Sequence, residues 1–229
     1  MKTPVNLIGI SGKIGSGKDT VAQIIQILTS YPYFFDNETI VHFLQSEPKH
    51  EIFKDCDTWK IKKFAGVLKK IASILTGIPV KMFESQEFKK TDLGPEWAYF
   101  HPEHCWDDDS PVYTRMSVRQ FLQKLGTEAM RDGLHQDTWV NATFAKYKPD
   151  VDKWIVTDTR FPNEAVSIQE RGGVLLRINR NTDTGDHPSE TALDDYKFDY
   201  IIENDGDLVS LVEKVKVFCE TCKIIKPIK

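Results

Sequence analysis

Short apolar runs alternate along the chain with longer stretches of helical period. Val5–Ser11 is an apolar run rich in β-branched residues that ends in a Gly-rich turn, the pattern of a strand buried in a parallel sheet. Val21, Ile24, Ile25 and Leu28 then recur at the spacing of one helix face, predicting a helix over Thr20–Leu28. Residues 31–58 have no clear period and read as an inserted lobe. Lys60–Ala65 predicts a second strand and Val67–Leu75 an amphipathic helix that ends at Gly77-Ile78-Pro79. Residues 89–114 read as loop. Helices are expected over Ser117–Leu125, with Ser117 as N-cap, and over Asp137–Lys146. Then follow a strand at Trp154–Val156, a helix at Asn163–Arg171 stopped by Gly172-Gly173, and a strand at Val174–Ile178. A last strand at Tyr200–Ile202 precedes a helix from Asp207 to about Cys222. Strand–helix alternation over one chain predicts an α/β fold of three layers, a central parallel sheet with helices on both faces.

Composition excludes more than it selects. The 229 residues are 40% apolar and 28% charged, ordinary values for a globular chain. A chain of this size buries roughly 70% of its unfolded surface, so one self-sufficient core is expected. No apolar run exceeds four residues, against the ~20 needed by a membrane helix. The start of the chain lacks a signal pattern, and four cysteines make no disulfide framework at this length. The expected compartment is therefore the cytoplasm, without a membrane partner. A net charge of −4 argues against a nucleic-acid polymer as partner. The average conceals residues 59–90, where eight lysines face two acids for a local net of +6. That stretch is either a solvated face or a local sink for a small polyanion.

Gly12-Lys13-Ile14-Gly15-Ser16-Gly17-Lys18-Asp19-Thr20 lies between the first strand and the first helix, the context of a phosphate-binding loop. Its glycines let backbone N–H groups curl around a β-phosphate, and the helix N-terminus adds positive potential. Lys18 reaches the β and γ oxygens as a point charge. Asp19 stands where such loops usually carry the Ser or Thr that contacts magnesium, with Thr20 one step later. The loop predicts binding of a nucleoside triphosphate.

A GTPase would need Asn-Lys-x-Asp and Asp-x-x-Gly, and neither occurs. A motor or helicase would be larger. Small-molecule kinases remain, and these need a second phosphate site built from cations. Arg119 and Gln123 share one helix face at i, i+4, ahead of Gly126-Thr127. A guanidinium grips phosphate bidentately and an amide reads a base edge or sugar. The competing reading is a surface Arg with a helix cap at Gly126-Thr127. Asp158 and Arg160 follow a strand, at the end where ligands bind in open sheets. Asp158 would hold magnesium or orient the acceptor and Arg160 would bind phosphate; a plain salt bridge is the competing reading of Asp158.

These residues resemble the bacteriophage deoxynucleoside monophosphate kinases, a branch of the P-loop kinases. The resemblance runs in order through Ser11–Thr20, Phe64–Lys69, Ser117–Gln123, Leu125-Gly126-Thr127, Trp139-Val140, Asp158-Thr159-Arg160, His187–Glu190 and Asn204-Asp205-Gly206. It implies a single P-loop kinase domain over 1–229, with acceptor-binding insertions within 31–147 and a lid at about 180–197 entered by Arg180. It implies ATP and Mg²⁺ at the loop, with Asp19, Thr20 and Asp158 as candidate metal contacts and Asn204 and Gly206 near the adenine. Lys69, Arg119, Gly126, Thr127 and Trp139 would line the acceptor site, with Leu68, Gln123, Lys90 (or Lys89) and Arg131 as further candidates. Lys18, Arg160 and Arg180 would neutralise the transferring phosphoryl. The implied partners are ATP and a deoxynucleoside monophosphate, in host cytoplasm for a viral chain, with a homodimer compatible with this reading. Two alternatives stay open: a kinase of another acceptor, such as dephospho-coenzyme A or phosphomevalonate, and a non-catalytic nucleotide-binding regulator.

Other signals carry less. Cys219 and Cys222 have Cys-x-x-Cys spacing but lack a redox or zinc context. His101, His104, Cys105 and Cys56 read as a solvent-facing cluster ahead of a zinc site, Tyr31, Tyr33, Phe34 and Phe35 as lobe packing, and His187 as a phosphate contact or a turn cap.

Overall fold

A computed structural model describes residues 5–31, 36–46, 59–100, 113–181 and 191–226. Its elements, in chain order, are β1 (Leu7–Ser11), α1 (Lys18–Ser30), α2 (Asn37–Gln45), β2 (Lys60–Lys62) and α3 (Phe64–Thr76). Three short 3₁₀ turns (Val80–Glu84, Phe88–Lys90, Pro95–Trp97) lead to β3 (Tyr99–Phe100) and β4 (Tyr113–Thr114). Then come α4 (Val118–Gln123), a π-helical segment (Lys124–Asp132), α5 (Thr138–Phe144), β5 (Trp154–Val156) and α6 (Pro162–Glu170). The chain ends with β6 (Val174–Asn179), β7 (Tyr200–Glu203) and α7 (Leu208–Thr221). Contacts divide it into two units, one of residues 1–64 with 143–229 and one of residues 65–142.

The first unit holds a five-stranded sheet of order β2-β5-β1-β6-β7 in which every pairing is parallel. All five residues of β1 and all three of β5 are buried, which is why both read as unbroken apolar runs. One face of the sheet carries Ile8, Ile10, Ile155, Leu176 and Ile178 against the apolar stripes of α1 and α7. α2 adds Ile40 and Leu44 to this core, so the described helix of the expected 31–58 lobe packs against α1 and α7. On the other face α6 sits so close to β1 that a Cβ on Gly9 would lie 2.5 Å from the Ile168 side chain. Helices therefore cover both faces, as the alternation predicted. From β1 the chain first builds β2 and β5 on one side and then crosses to β6 and β7 on the other. The carboxyl end of β1 is the switch point, where open α/β sheets bind ligands.

The second unit is mainly helical. Ala72, Phe83, Leu93, Val118, Phe121 and Leu125 form its core, with Trp97 edge-on to Phe121 at 4.8 Å. The described part of the expected loop over 89–114 contains instead the end of the Phe88–Lys90 turn, the Pro95–Trp97 turn and an antiparallel β3–β4 pair. Ser117 caps α4 in a reciprocal capping box with Gln120, as expected. The helix expected to end at Leu125 runs on instead, and the competing cap at Gly126-Thr127 does not form, because the backbone widens into π turns, with bonds such as Gly133 N–H to Glu128 O and His135 N–H to Met130 O. Among the described residues no helix is long and apolar enough to cross a membrane.

Candidate functional site

The phosphate loop leaves β1 and enters α1, as the pattern required. Its conformation admits little besides glycine at two positions. Gly17 has φ +98°, and a Cβ there would lie 2.7 Å from Asn204 Nδ2. A Cβ on Gly12 would lie 2.5 Å from the Ile178 carbonyl and 2.6 Å from Ser16 Oγ. Ser16 is fully buried, and its hydroxyl has no hydrogen-bond partner among the described residues. Lys18 Nζ folds back on the loop, donating to Gly12 O at 2.6 Å and Lys13 O at 2.7 Å. Asn204 is buried, and its side-chain amide donates to Ser16 O at 2.9 Å. The amide thus supports the loop from beneath; Gly206, two residues on, is exposed.

Around the loop two carboxylates hold one junction. Asp19 accepts from Thr157 Oγ1 at 2.9 Å and pairs with Lys63 Nζ at 3.1 Å. Asp158 accepts from the Phe64 backbone N–H at 2.7 Å and so caps the first turn of α3. Lys63 and Phe64, the link between β2 and α3, are therefore tied to the two carboxylates among the three candidate metal contacts. The predicted strand Lys60–Ala65 ends at Lys62 for this reason, since Phe64 already belongs to a helix. Each carboxylate has about four lone-pair directions, so both keep capacity for a hydrated cation beside bound phosphates. The glycine cradle and the orphaned Ser16 hydroxyl suit a phosphate chain. These residues fit a magnesium-nucleotide by donor chemistry.

Arg160 is half-buried, and its backbone N–H donates to Glu164 Oε2 at 2.8 Å. Glu164 is itself buried and also accepts from Phe161 N–H, so one carboxylate satisfies two amides at the start of α6. Arg180 is exposed, with no partner among the described residues. Of the expected lid, residues 182–190, including His187, lie outside the described residues. Residues 191–199 are fixed: Leu193 is buried, Asp199 accepts from Leu175 N–H, and Tyr196 O–H donates to Gln169.

The second unit carries the expected acceptor residues. Lys69 on α3 is buried and pairs with Glu84 at 2.6 Å. Arg119 on α4 is exposed and donates to Gln86 Oε1 at 3.2 Å. Both cations thus reach one short segment. Gly126 is buried against Leu68, whose Cδ2 would be 3.1 Å from a Cβ there, and its carbonyl accepts from the Trp139 indole N–H at 2.8 Å. Thr127 and Gln123 are exposed and Arg131 half-buried along the same helical run. Lys90 is exposed on its 3₁₀ turn, and Lys89 half-buried.

Sequence reasoning missed Lys63, Thr157, Glu84 and Arg177. Arg177 was legible in kind, because a charge inside the buried strand Val174–Asn179 demands a partner. Its guanidinium donates to Ser11 Oγ at 3.1 Å, pairs with Asp194 at 2.6 Å and lies over the Phe198 ring. Cys219 and Cys222 are free thiols; burial pushes Cys219 far up and Cys222 up to a lesser degree. Among the described residues no group of three His, Cys, Asp or Glu is placed to hold a metal. Cys56, His101, His104 and Cys105 lie outside them, as do Tyr33, Phe34 and Phe35.

Residues 80–215 match the family model for deoxynucleotide monophosphate kinase. The chain is 26% identical over 220 residues to the deoxynucleoside-5′-monophosphate kinase of Escherichia phage T5, covering 82% of this chain and 84% of that protein. It is 32% identical over 114 residues, 46% of each chain, to the deoxynucleotide monophosphate kinase of Enterobacteria phage T4. A phosphate loop at the sheet's switch point and a match over more than half the chain agree: the chain belongs to the deoxynucleotide monophosphate kinase family and is a nucleotide-using phosphotransferase of that class.

Proposed function

We propose that the chain transfers the γ-phosphoryl group of ATP to the 5′-phosphate of a deoxynucleoside monophosphate, giving ADP and a deoxynucleoside diphosphate. The observation that carries the reading is the loop at the end of β1. Gly12 and Gly17 leave no room for a Cβ, a buried hydroxyl in the loop has no partner among the described residues, and a lysine closes back over it. Family membership supports the acceptor class.

Phosphoryl transfer passes through a loose transition state with its charge on the equatorial oxygens, so alignment and charge stabilisation dominate. Gly12, Lys13, Gly15, Ser16 and Gly17 offer backbone N–H groups and the Ser16 hydroxyl to the phosphates. Lys18, Arg160 and Arg180 supply positive charge to the γ-phosphoryl. Asp19, Thr20 and Asp158 would hold magnesium. Magnesium held there would supply positive charge against the developing charge of the phosphates. Lys69 and Arg119 bind the acceptor phosphate, while Leu68, Gln123, Gly126, Thr127, Trp139, Arg131 and Lys90 shape the rest of that site. No general base is required, because a phosphate monoester is largely an anion at neutral pH.

ADP release with Mg²⁺ and ATP, measured over a panel of deoxynucleoside monophosphates, dephospho-coenzyme A and phosphomevalonate, tests the reading. Turnover with the deoxynucleotides alone is expected. ATP binding without acceptor-dependent ADP would overturn it in favour of a regulator. Lys18→Ala should abolish turnover with the fold intact, and Arg119→Ala should raise acceptor KM far more than ATP KM.

A further inference from the structure

Glu84 belongs to none of the groups assigned above, yet its carboxylate is 2.6 Å from the ammonium of Lys69. The two partners differ in freedom. The Lys69 side chain is 10% exposed and Glu84 is 53% exposed. An ammonium enclosed to this degree needs a counter-charge beside it, because burial strips it of water. Glu84 has no such need, since water solvates its carboxylate when it leaves.

The backbone that presents Glu84 is pinned. Phe83 beside it is fully buried in the core of the second unit and packs edge-on to Phe88 at 6.1 Å. The reach of the glutamate is therefore fixed while its side chain remains free to rotate. Two residues on, Gln86 Oε1 accepts from Arg119 at 3.2 Å. One anchored segment thus offers an exposed oxygen acceptor to each of the two cations assigned to the acceptor phosphate.

We propose that Glu84 is an internal competitor for the acceptor phosphate. Its carboxylate holds Lys69 in the free protein and gives it up to the incoming monophosphate, so Glu84 sets the acceptor affinity. This rests on the reading of Lys69 as an acceptor ligand. A dianionic phosphate outbids a single carboxylate for the ammonium, and repulsion between the two anions drives the exposed side chain into solvent. Gln86 releases Arg119 in the same way, as a neutral partner and at lower cost. Glu84 is a positioning residue, since it acts through Lys69.

The test is calorimetric titration of dTMP and of dGMP into wild type, E84Q, K69M and the double variant, with thermal unfolding of each. Glu84→Gln keeps shape and removes charge, and should tighten monophosphate binding by about two- to tenfold, the range expected for releasing one partly exposed ion pair. Acceptor KM should fall by more than any change in kcat. In the K69M background the gain should vanish. Unchanged or weaker binding in E84Q, with K69M still weakening it, would overturn the role of Glu84 and leave that of Lys69 standing. A gain that persists in the double variant would overturn it too, by showing an effect that does not pass through Lys69. Unchanged binding in folded K69M would overturn the reading of Lys69 itself. E84A should move in the same direction as E84Q.

Discussion

Asn204 offers the sharpest separation between holding a loop and reading a base. By resemblance it stands near the adenine; in the structure its amide is buried and donates to Ser16 O at 2.9 Å. Its backbone N–H is tied to Asn179 O at 2.7 Å, so the side chain has little freedom to turn elsewhere. Asn204→Ala removes the donor and leaves a buried carbonyl unsatisfied, at a cost of about 1–3 kcal/mol. Water entering the space left returns part of that, so about 1–2 kcal/mol is expected. The penalty falls on the loop conformation that cradles phosphate, and nucleotide affinity should fall by about 5- to 30-fold. Asn204→Asp should be worse than Ala, because it sets a carboxylate oxygen against a carbonyl oxygen. Competition titrations with ADP, GDP and inorganic tripolyphosphate, alongside urea unfolding, read the effect. A support role predicts the same fractional loss for all three ligands. A loss confined to ADP, with tripolyphosphate unaffected, would refute it and return Asn204 to the base.

Three further substitutions probe other parts of the fold. Arg177→Met should cost about 2–3 kcal/mol in urea unfolding, below the full value for a broken buried pair because Asp194 is 40% exposed and can be solvated; Arg177→Lys should recover part of it. Trp139→Phe orphans the Gly126 carbonyl and should cost about 2 kcal/mol, raising acceptor KM several-fold while ATP KM stays put in steady-state assays. Asp36 caps α2, and the Thr39 hydroxyl and then the Thr39 backbone N–H hold its carboxyl below the usual range. A depressed carboxylate adds stability above its unfolded pKa, and that stability is lost as pH falls through the folded one. Asp36→Asn keeps a good cap and should therefore flatten the acid limb of a stability–pH profile, below about pH 4.

What was legible in the sequence was local. Trp154–Val156 could be read to the residue because three apolar positions lie between the charged Lys153 and the polar Thr157. Ser117 and Asp207 could be named as caps because each accepts from an amide three residues on. The failures come from partners distant in sequence. Phe64 reads as strand by composition and is helical because Asp158, 94 residues away, takes its N–H. The helix reads as ending at Leu125 and runs on through wide turns, with the Gly126 carbonyl taken by the Trp139 indole. The β3–β4 pair has two residues a side, too few for an alternation to declare itself.

The same distinction sorts the chemistry. The loop was legible because all of it falls within nine consecutive residues, whereas Asp19 gains its meaning from Lys63 and Thr157 at separations of 44 and 138. The basic stretch of 59–90 is therefore no uniform field. Lys60, Lys70, Lys81 and Lys90 are exposed, where screening limits a charge to a Debye length of about 8 Å. Lys62 lies over the Trp154 ring at 4.7 Å, Lys63 pairs with Asp19, and Lys69 is buried against Glu84. Summed charge treats these lysines alike, but burial separates them. Only a cation that has lost water and is held by a removable partner exchanges one anion for another at little cost, and among the eight Lys69 is the one so placed.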